Sequence, residues 1–285
     1  MKNFSLPVKQ IKTKELIINQ DYLQVLKKNG LDCFDSIWRY NRGEPVKQIK
    51  ERSLIRFKIK ACGKKYYYLK KHNFESVGFR KLISYFVPGR PCSQGKIEFK
   101  NICDFKKYGL ATVIPVAAGE KLIRFFKAES FLITEDVSPF ISLEYLLKER
   151  PGFFMGREGE TRKKILLKEI AFLAKKMHKS GFNHRDFNAT HILLNYDNPS
   201  DIPKLALFDL QRVDKKRFLK YWWTVKTMAG INYTLPANLF DEKDKFFMFL
   251  TYKEKKNLGV LDRLQWGLIK RKTAQISRHT KKKSV

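Results

Sequence analysis

Between Thr161 and Leu210 the chain sets an order of elements that few architectures accept. Residues 161–180 put Leu166, Ile170, Leu173 and Met177 on one helical face, with Lys168, Lys175 and Lys176 off it, and Gly181 supplies a stop. Then come His184-Arg185-Asp186, the apolar run Ile192-Leu193-Leu194, a polar turn, and a second apolar run, Leu205-Ala206-Leu207-Phe208, ending in Asp209. Helix, turn, strand, turn, strand, aspartate: this order sets two carboxylates at the ends of neighbouring β-edges. Such a pair suits phosphoryl transfer, which needs metal ions held by hard ligands and one carboxylate to orient the attacking hydroxyl and take its proton. Asp186 is the candidate for the proton, Asp209 for the metal, and His191, five residues after Asp186, for a second metal ligand. Alone, His-Arg-Asp carries little information, and Asp209 reads equally as a turn residue closing a strand. The order gives both their weight.

Protein-kinase-like phosphotransferases build their phosphate site in this order, and the preceding residues offer the remaining parts. Residues 1–35 read as a basic extension with a helix near Asp21–Lys28, stopped by Asn29-Gly30. Ser36-Ile37-Trp38-Arg39-Tyr40 is a candidate strand. In the next, Ile55, Phe57, Ile59 and Ala61 alternate with Arg56, Lys58 and Lys60. Cys62-Gly63-Lys64-Lys65 reads as a hairpin turn, and Tyr66–Lys70 returns as a third strand. Lys70, embedded there, is placed to reach the α- and β-phosphates of ATP; the alternative is one more solvated cation beside Lys71. A phosphate-cradling loop usually carries several glycines, and only Gly43 is available between the first two strands.

Further on, Glu98, Ile102 and Phe105 share one helical stripe. An inward Glu98 would pair with Lys70; the alternative is a partly exposed helix charge. Residues 112–120 and 131–134 read as two more strands, with Glu135-Asp136-Val137 as the hinge whose backbone would meet an adenine ring. A basic, aromatic helix over 215–223 carries adjacent Trp222 and Trp223, which cannot both face a core, and residues 241–258 form a last charged helix. The expected fold class is α+β: a bilobal protein-kinase-like fold with a small antiparallel sheet and one helix over 36–134, then a mainly helical lobe over 135–269. A basic tail, 270–285, is expected to be disordered.

With 59 basic against 28 acidic residues the chain carries +31, a field that attracts nucleic acid, anionic lipid or phosphorylated sugars. The lysines are spread along the whole length and form no recognition module, so specific nucleic-acid binding is not expected. Cys33, Cys62, Cys92 and Cys103 include no Cys-x-x-Cys pair, which fits neither a zinc site nor a disulfide framework. Met1–Pro7 carries no apolar run of the secretory kind, and no stretch approaches the ~18 apolar residues of a membrane span.

The blocks Lys175–Leu194, Leu205–Val213 and Trp222–Lys226 resemble the lipopolysaccharide kinases of the Kdo/WaaP type, with looser similarity over about 36–265. Asp209-Leu210-Gln211-Arg212 is similar to that family where ordinary protein kinases have Asp-Phe-Gly. The resemblance implies phosphoryl transfer from ATP, with Mg²⁺, to a sugar hydroxyl of the lipopolysaccharide inner core, heptose or Kdo. The work would be done at the cytoplasmic face of the inner membrane, with peripheral attachment to its anionic surface. It implies Asp186 as catalytic base, Lys70 as phosphate-binding lysine, Glu98 as its partner and Asp209 as a metal ligand. His191 stands where protein kinases have a metal-binding asparagine, and an imidazole suits Mg²⁺ less well than an oxygen donor. The readings left open are a protein or other small-molecule kinase on the same fold, and an inactive kinase-like binding module.

Overall fold

The computed structural model describes residues 7–59, 65–79, 91–124, 126–196, 198, 201–215 and 220–283. The expected hairpin turn at 62–65 falls largely outside them. The chain divides into two compact units, residues 1–137 with 209–211, and residues 138–208 with 212–285.

The first unit is built on a seven-stranded antiparallel sheet in the order β1-β2-β6-β7-β5-β4-β3. Its strands are β1 (Gln10–Lys12), β2 (Leu16–Asn19), β3 (Glu44–Ile49), β4 (Arg52–Lys58), β5 (Tyr66–Ser76), β6 (Pro115–Arg124) and β7 (Lys127–Glu135). Among the described residues, helices α1 (Leu23–Lys28), α2 (Phe34–Arg39) and α3 (Gln94–Lys107) accompany them. Residues 10–35 are thus part of this unit and no separate extension. Leu16–Asn19 is a fully buried run that pairs with β6 through Leu16↔Gly119, Ile17↔Ala118 and Ile18↔Ala117. Leu26, Leu31, Phe34 and Ile37 pack with Tyr67, Leu69, Phe131 and Ile133 in one core against that face of the sheet.

Residues 36–40 are also not a strand. Phe34 and Ile37, three apart, are the two buried positions of α2, and Cys33 caps the helix by accepting from Ser36 N. The β-rich composition of Ile37-Trp38-Arg39-Tyr40 loses to this tertiary packing. β3 follows at Glu44–Ile49, and the β3–β4 hairpin turns at Lys50-Glu51. Gly43 therefore sits at the opposite end of the hairpin, about 20 Å of strand away from its turn. A Cβ on Gly43 would lie 2.6 Å from the Arg56 carbonyl oxygen, so close strand packing accounts for the glycine.

The second unit carries α4 (Leu143–Glu149), α5 (Gly156–Lys179), α6 (Lys220–Thr234), α7 (Glu242–Lys253) and α8 (Val260–Lys283). It also holds a small sheet of β8 (Ile141–Ser142), β10 (Ile192–Asn195) and β11 (Lys204–Leu207), and a two-stranded pair of β9 (Asn183–His184) and β12 (Val213–Asp214). On α5, Leu166, Ile170 and Met177 are fully buried, as their spacing demands. The disordered tail is a correction: α8 runs without a break to Lys283. Buried Gln265 and Ile269, four apart, dock it and extend the helix through the lysines beyond.

Candidate active site

Strand alternation sends adjacent lysines of β5 to opposite faces of the sheet. Lys71 goes to the α2 side, where its Nζ donates to the Trp38 and Tyr40 carbonyls, both at 2.7 Å. Lys70 goes to the α3 side, and there its Nζ donates to Glu98 Oε2 at 3.0 Å and to Asp209 Oδ1 at 2.8 Å. It is no solvated cation. Burial disfavours the ammonium, but the two carboxylates outweigh burial and hold the Lys70 pKa above the usual lysine value. Burial likewise pushes the Glu98 carboxyl up, against the pull of Lys70.

What holds Glu98 in place is α3 as a whole. Glu120 Oε2 accepts from Cys92 N at 3.0 Å and Ser93 N at 2.9 Å, and Glu75 Oε2 accepts from Gln94 N at 2.7 Å. Two carboxylates thus satisfy free N–H groups at the helix start, where the macrodipole favours negative charge. One residue further, Gly95 N donates to Ser130 Oγ at 3.1 Å, and a Cβ on Gly95 would stand 2.4 Å from the Phe131 carbonyl oxygen. Only a glycine lets α3 approach β7 this closely.

The Asp209–Gln211 segment is fastened to the same helix and strand. Asn101 Nδ2 donates to Leu210 O at 2.7 Å, Gln211 Nε2 lies 3.1 Å from His72 Nε2, and the Gln211 side chain also bonds Glu98. Burial, with the Lys70 and Arg52 charges, lowers the His72 pKa to about 3, so this imidazole stays neutral and can accept from the Gln211 amide. Asp209 itself has φ of 56°, a left-handed conformation that aspartate tolerates better than most non-glycine residues. Gln211, His72 and Asn101 received no role from the sequence. His72 and Gln211 are 139 residues apart, and no local pattern joins them.

The Glu135 side chain is held within the first unit. Its buried carboxylate accepts from Tyr22 Oη and from Lys65 Nζ, tying α1's flank and β5 to the end of β7. Asp136 accepts from Arg56 Nη2 at 2.7 Å, and its own N–H is taken by the Tyr66 carbonyl.

In the second unit, Asp186 follows β9 in a turn set by His184. Asp186 N donates to His184 Nδ1 at 3.0 Å, which leaves the proton on Nε2, 3.1 Å from the Phe208 carbonyl oxygen. Buried and spent on the backbone at both nitrogens, His184 anchors the loop. Arg185 Nε and Nη2 reach Asp214 Oδ1 at 2.9 and 2.6 Å, and Asn183 Nδ2 joins them at 3.2 Å. Burial opposes the Asp214 charge, but these donors win and its pKa is lowered. The Asp186 carboxylate accepts from Arg212 Nη1, 3.0 Å from Oδ1. His191 lies one turn on, its Nδ1 2.9 Å from the Asp186 carbonyl oxygen and its ring stacked on His184. A proton on Nδ1 donated to that carbonyl makes Nε2 the acceptor nitrogen of the ring. Asn188, between them, accepts from Thr190 N and His191 N and caps the short turn.

The first unit thus assembles Lys70, Glu98 and Asp209, and the second assembles Asp186 and His191. A divalent ion that prefers hard oxygens suits the Asp209 carboxylate, and the His191 imidazole suits it less. Among the described residues no group of three or more His, Cys, Asp or Glu side chains forms a metal site. Mg²⁺ commonly needs only one or two carboxylates, with substrate phosphates and water completing its shell.

Comparison with known proteins gives a consistent picture. Residues 36–252 match the lipopolysaccharide kinase (Kdo/WaaP) family. The chain is 26% identical over 230 residues to the lipopolysaccharide core heptose(I) kinase WaaP of Pseudomonas aeruginosa, covering 79% of this chain and 81% of that one. It is 27% identical over 208 residues to the protein of the same description from Escherichia coli strain K12, covering 72% and 75%. Among solved structures, WaaP in complex with acyl carrier protein superposes with a TM-score of 0.66 at 23% identity, covering 91% of this chain and 98% of that one. The fold is protein-kinase-like, α+β, in two units.

Proposed function

Because the chain belongs to the lipopolysaccharide kinase (Kdo/WaaP) family, we propose that it transfers the γ-phosphoryl group of ATP to a sugar hydroxyl of the lipopolysaccharide inner core, heptose or Kdo. The observation that carries this reading is the Lys70 ammonium held at once by Glu98 and Asp209. It presents a half-buried cation for phosphate oxygens beside a carboxylate that suits a divalent metal. Lys70 would bind the α- and β-phosphates, Glu98 keeps the ammonium aimed, and Asp209 would hold Mg²⁺; His191 is a weaker candidate ligand. The ion, when bound, neutralises charge on the transferring phosphoryl group. Asp186 orients the acceptor hydroxyl and takes its proton, in a loop that His184 and the Arg185–Asp214 pair keep in shape.

The acceptor is an anionic glycolipid, which accords with a +31 chain. The corresponding location is the cytoplasmic face of the inner membrane, with peripheral attachment. A complex with acyl carrier protein is the matching partner proposal, carried by the solved relative and tested by co-purification.

The deciding experiment incubates purified protein with ATP and core oligosaccharide and maps the new phosphate by mass spectrometry. Asp186→Ala is expected to abolish incorporation with its thermal midpoint unchanged; retained turnover overturns the assignment of Asp186. Transfer to generic protein substrates instead would favour a protein kinase. A second reading, an inactive kinase-like binding module, is favoured by His191 at the asparagine position. Thermal stabilisation by nucleotide with no turnover on any acceptor would support it.

A further inference from the structure

We propose that the first two turns of α8, with the start of α6, form a docking face for an anionic phospholipid surface. At 3.6 residues per turn, Val260, Leu261 and Leu264 fall within about 100° of arc. They are 76%, 75% and 59% exposed, an apolar stripe at the start of a helix whose other side is docked by Gln265 and Ile269. Gln265 Nε2 donates to Tyr221 O at 3.0 Å, which ties this end of α8 to the first turn of α6. In that turn Trp223 points into the core at 2% exposure, while its neighbour Trp222 is 52% exposed.

Charge chooses the occupant. Beyond Leu264 the sequence of α8 has no acidic residue, and exposed Arg271 and Arg278 continue the face that the apolar stripe begins. The single acid of the helix, Asp262, is already neutralised by Lys253 at 2.7 Å and Lys255 at 2.6 Å. On α6, Lys220 and Lys226 are exposed and the helix itself carries no acid; Asp214, within charge range of Lys226, is already paired with Arg185. Aliphatic side chains and a tryptophan beside arginines and lysines are the makeup of helices that lie in a headgroup layer. There the apolar residues enter the acyl boundary and the cations meet anionic lipid.

This deepens the peripheral location proposed above, and its test reads binding without turnover. The full chain is mixed with vesicles of phosphatidylcholine alone or with phosphatidylglycerol, and partitioning is measured by flotation. Binding to the phosphatidylglycerol vesicles only, weakening with added salt, is expected. The double variant Leu261→Asp/Leu264→Asp and the variant Arg271→Glu/Arg278→Glu should each partition about tenfold more weakly. All four positions are exposed, so unchanged thermal midpoints establish that the variants fold. No binding of the parent chain to anionic vesicles overturns the proposal, as does undiminished binding of the leucine variant. Loss of retention on an immobilised acidic protein, with vesicle binding intact, assigns the face to a protein and overturns it as well. With a lipid-free core oligosaccharide the leucine variant should turn over like the parent, so failure of the lipid face and failure of the kinase reading remain distinguishable.

Discussion

Replacing Gly95 by alanine puts a methyl carbon 2.4 Å from the Phe131 carbonyl oxygen and 2.8 Å from its carbonyl carbon. Ordinary contact begins at 3.4 Å, so α3 must retreat from β7 by about 1 Å. Neither neighbour is a flexible side-chain end that could step aside; both are backbone of a central strand. Overpacking of this kind costs roughly 1–3 kcal/mol, and the better helix propensity of alanine returns up to about 1. The net loss of stability is therefore modest, about 0–2 kcal/mol. Activity should suffer more. Glu98 sits one turn further along α3, and its 3.0 Å bond to Lys70 lengthens past hydrogen-bond range if the helix moves by that amount. Losing a charge-assisted bond of roughly 1.5–3 kcal/mol lowers kcat/KM for ATP about 10- to 100-fold. The assay pairs steady-state kinetics with thermal unfolding of Gly95→Ala and of Glu98→Gln, which removes the same charge without overpacking. Matching kinetic losses in the two variants are expected. A Gly95→Ala enzyme that melts lower but keeps the parent kcat/KM would refute the claim that α3 transmits the strain to Glu98.

Gln211→Ala removes the amide that joins Glu98 to neutral His72 and should raise KM for ATP several-fold, with Gln211→Asn, one methylene shorter, failing to rescue it. His72 and His178 are both held neutral by burial, at about 3 and about 4 against the usual 6.5. The unfolded chain therefore binds protons that the folded chain refuses. Stability should fall as pH drops below about 6.5, by up to ~1.4 kcal/mol per pH unit for each residue. His178→Gln should flatten that slope in denaturant titrations taken between these values. Gly119→Ala would place a methyl 2.5 Å from Phe131 Cε1 and 2.9 Å from Phe34 Cδ2. It should cost roughly 1–3 kcal/mol in urea unfolding, with kcat/KM of the surviving folded fraction unchanged.

The parts that were legible in the sequence are those with a local period. The buried stripe of α5 and the inward Glu98 of α3 both express a spacing that neighbouring residues share, whereas the strand holding Lys70 did not by itself separate it from Lys71. The reading failed where a distant segment overrode local preference. Ile37-Trp38-Arg39-Tyr40 has strand composition, yet the sheet behind it takes Phe34 and Ile37 as a helical pair. The lysines at the end of α8 suggest a solvated tail, but Gln265 and Ile269 dock the helix that carries them. Partners such as Tyr22 for Glu135 and His72 for Gln211 lie more than a hundred residues apart, and a single sequence holds no signal of such pairings. Gly43, the one glycine between the first two expected strands, lies at the end of the β3–β4 hairpin opposite its turn.

The family match begins at residue 36, which invites a shortened clone that starts there. Such a clone would strip β1 and β2 from the sheet, leaving β6 with an unpaired edge along Ala117, Ala118 and Gly119. It would also bare Leu69, Phe131 and Ile133 to water by removing Leu26, Leu31 and Phe34. An open edge beside a stripped apolar surface is a template for strand addition between copies, so the trimmed protein should accumulate as insoluble aggregate.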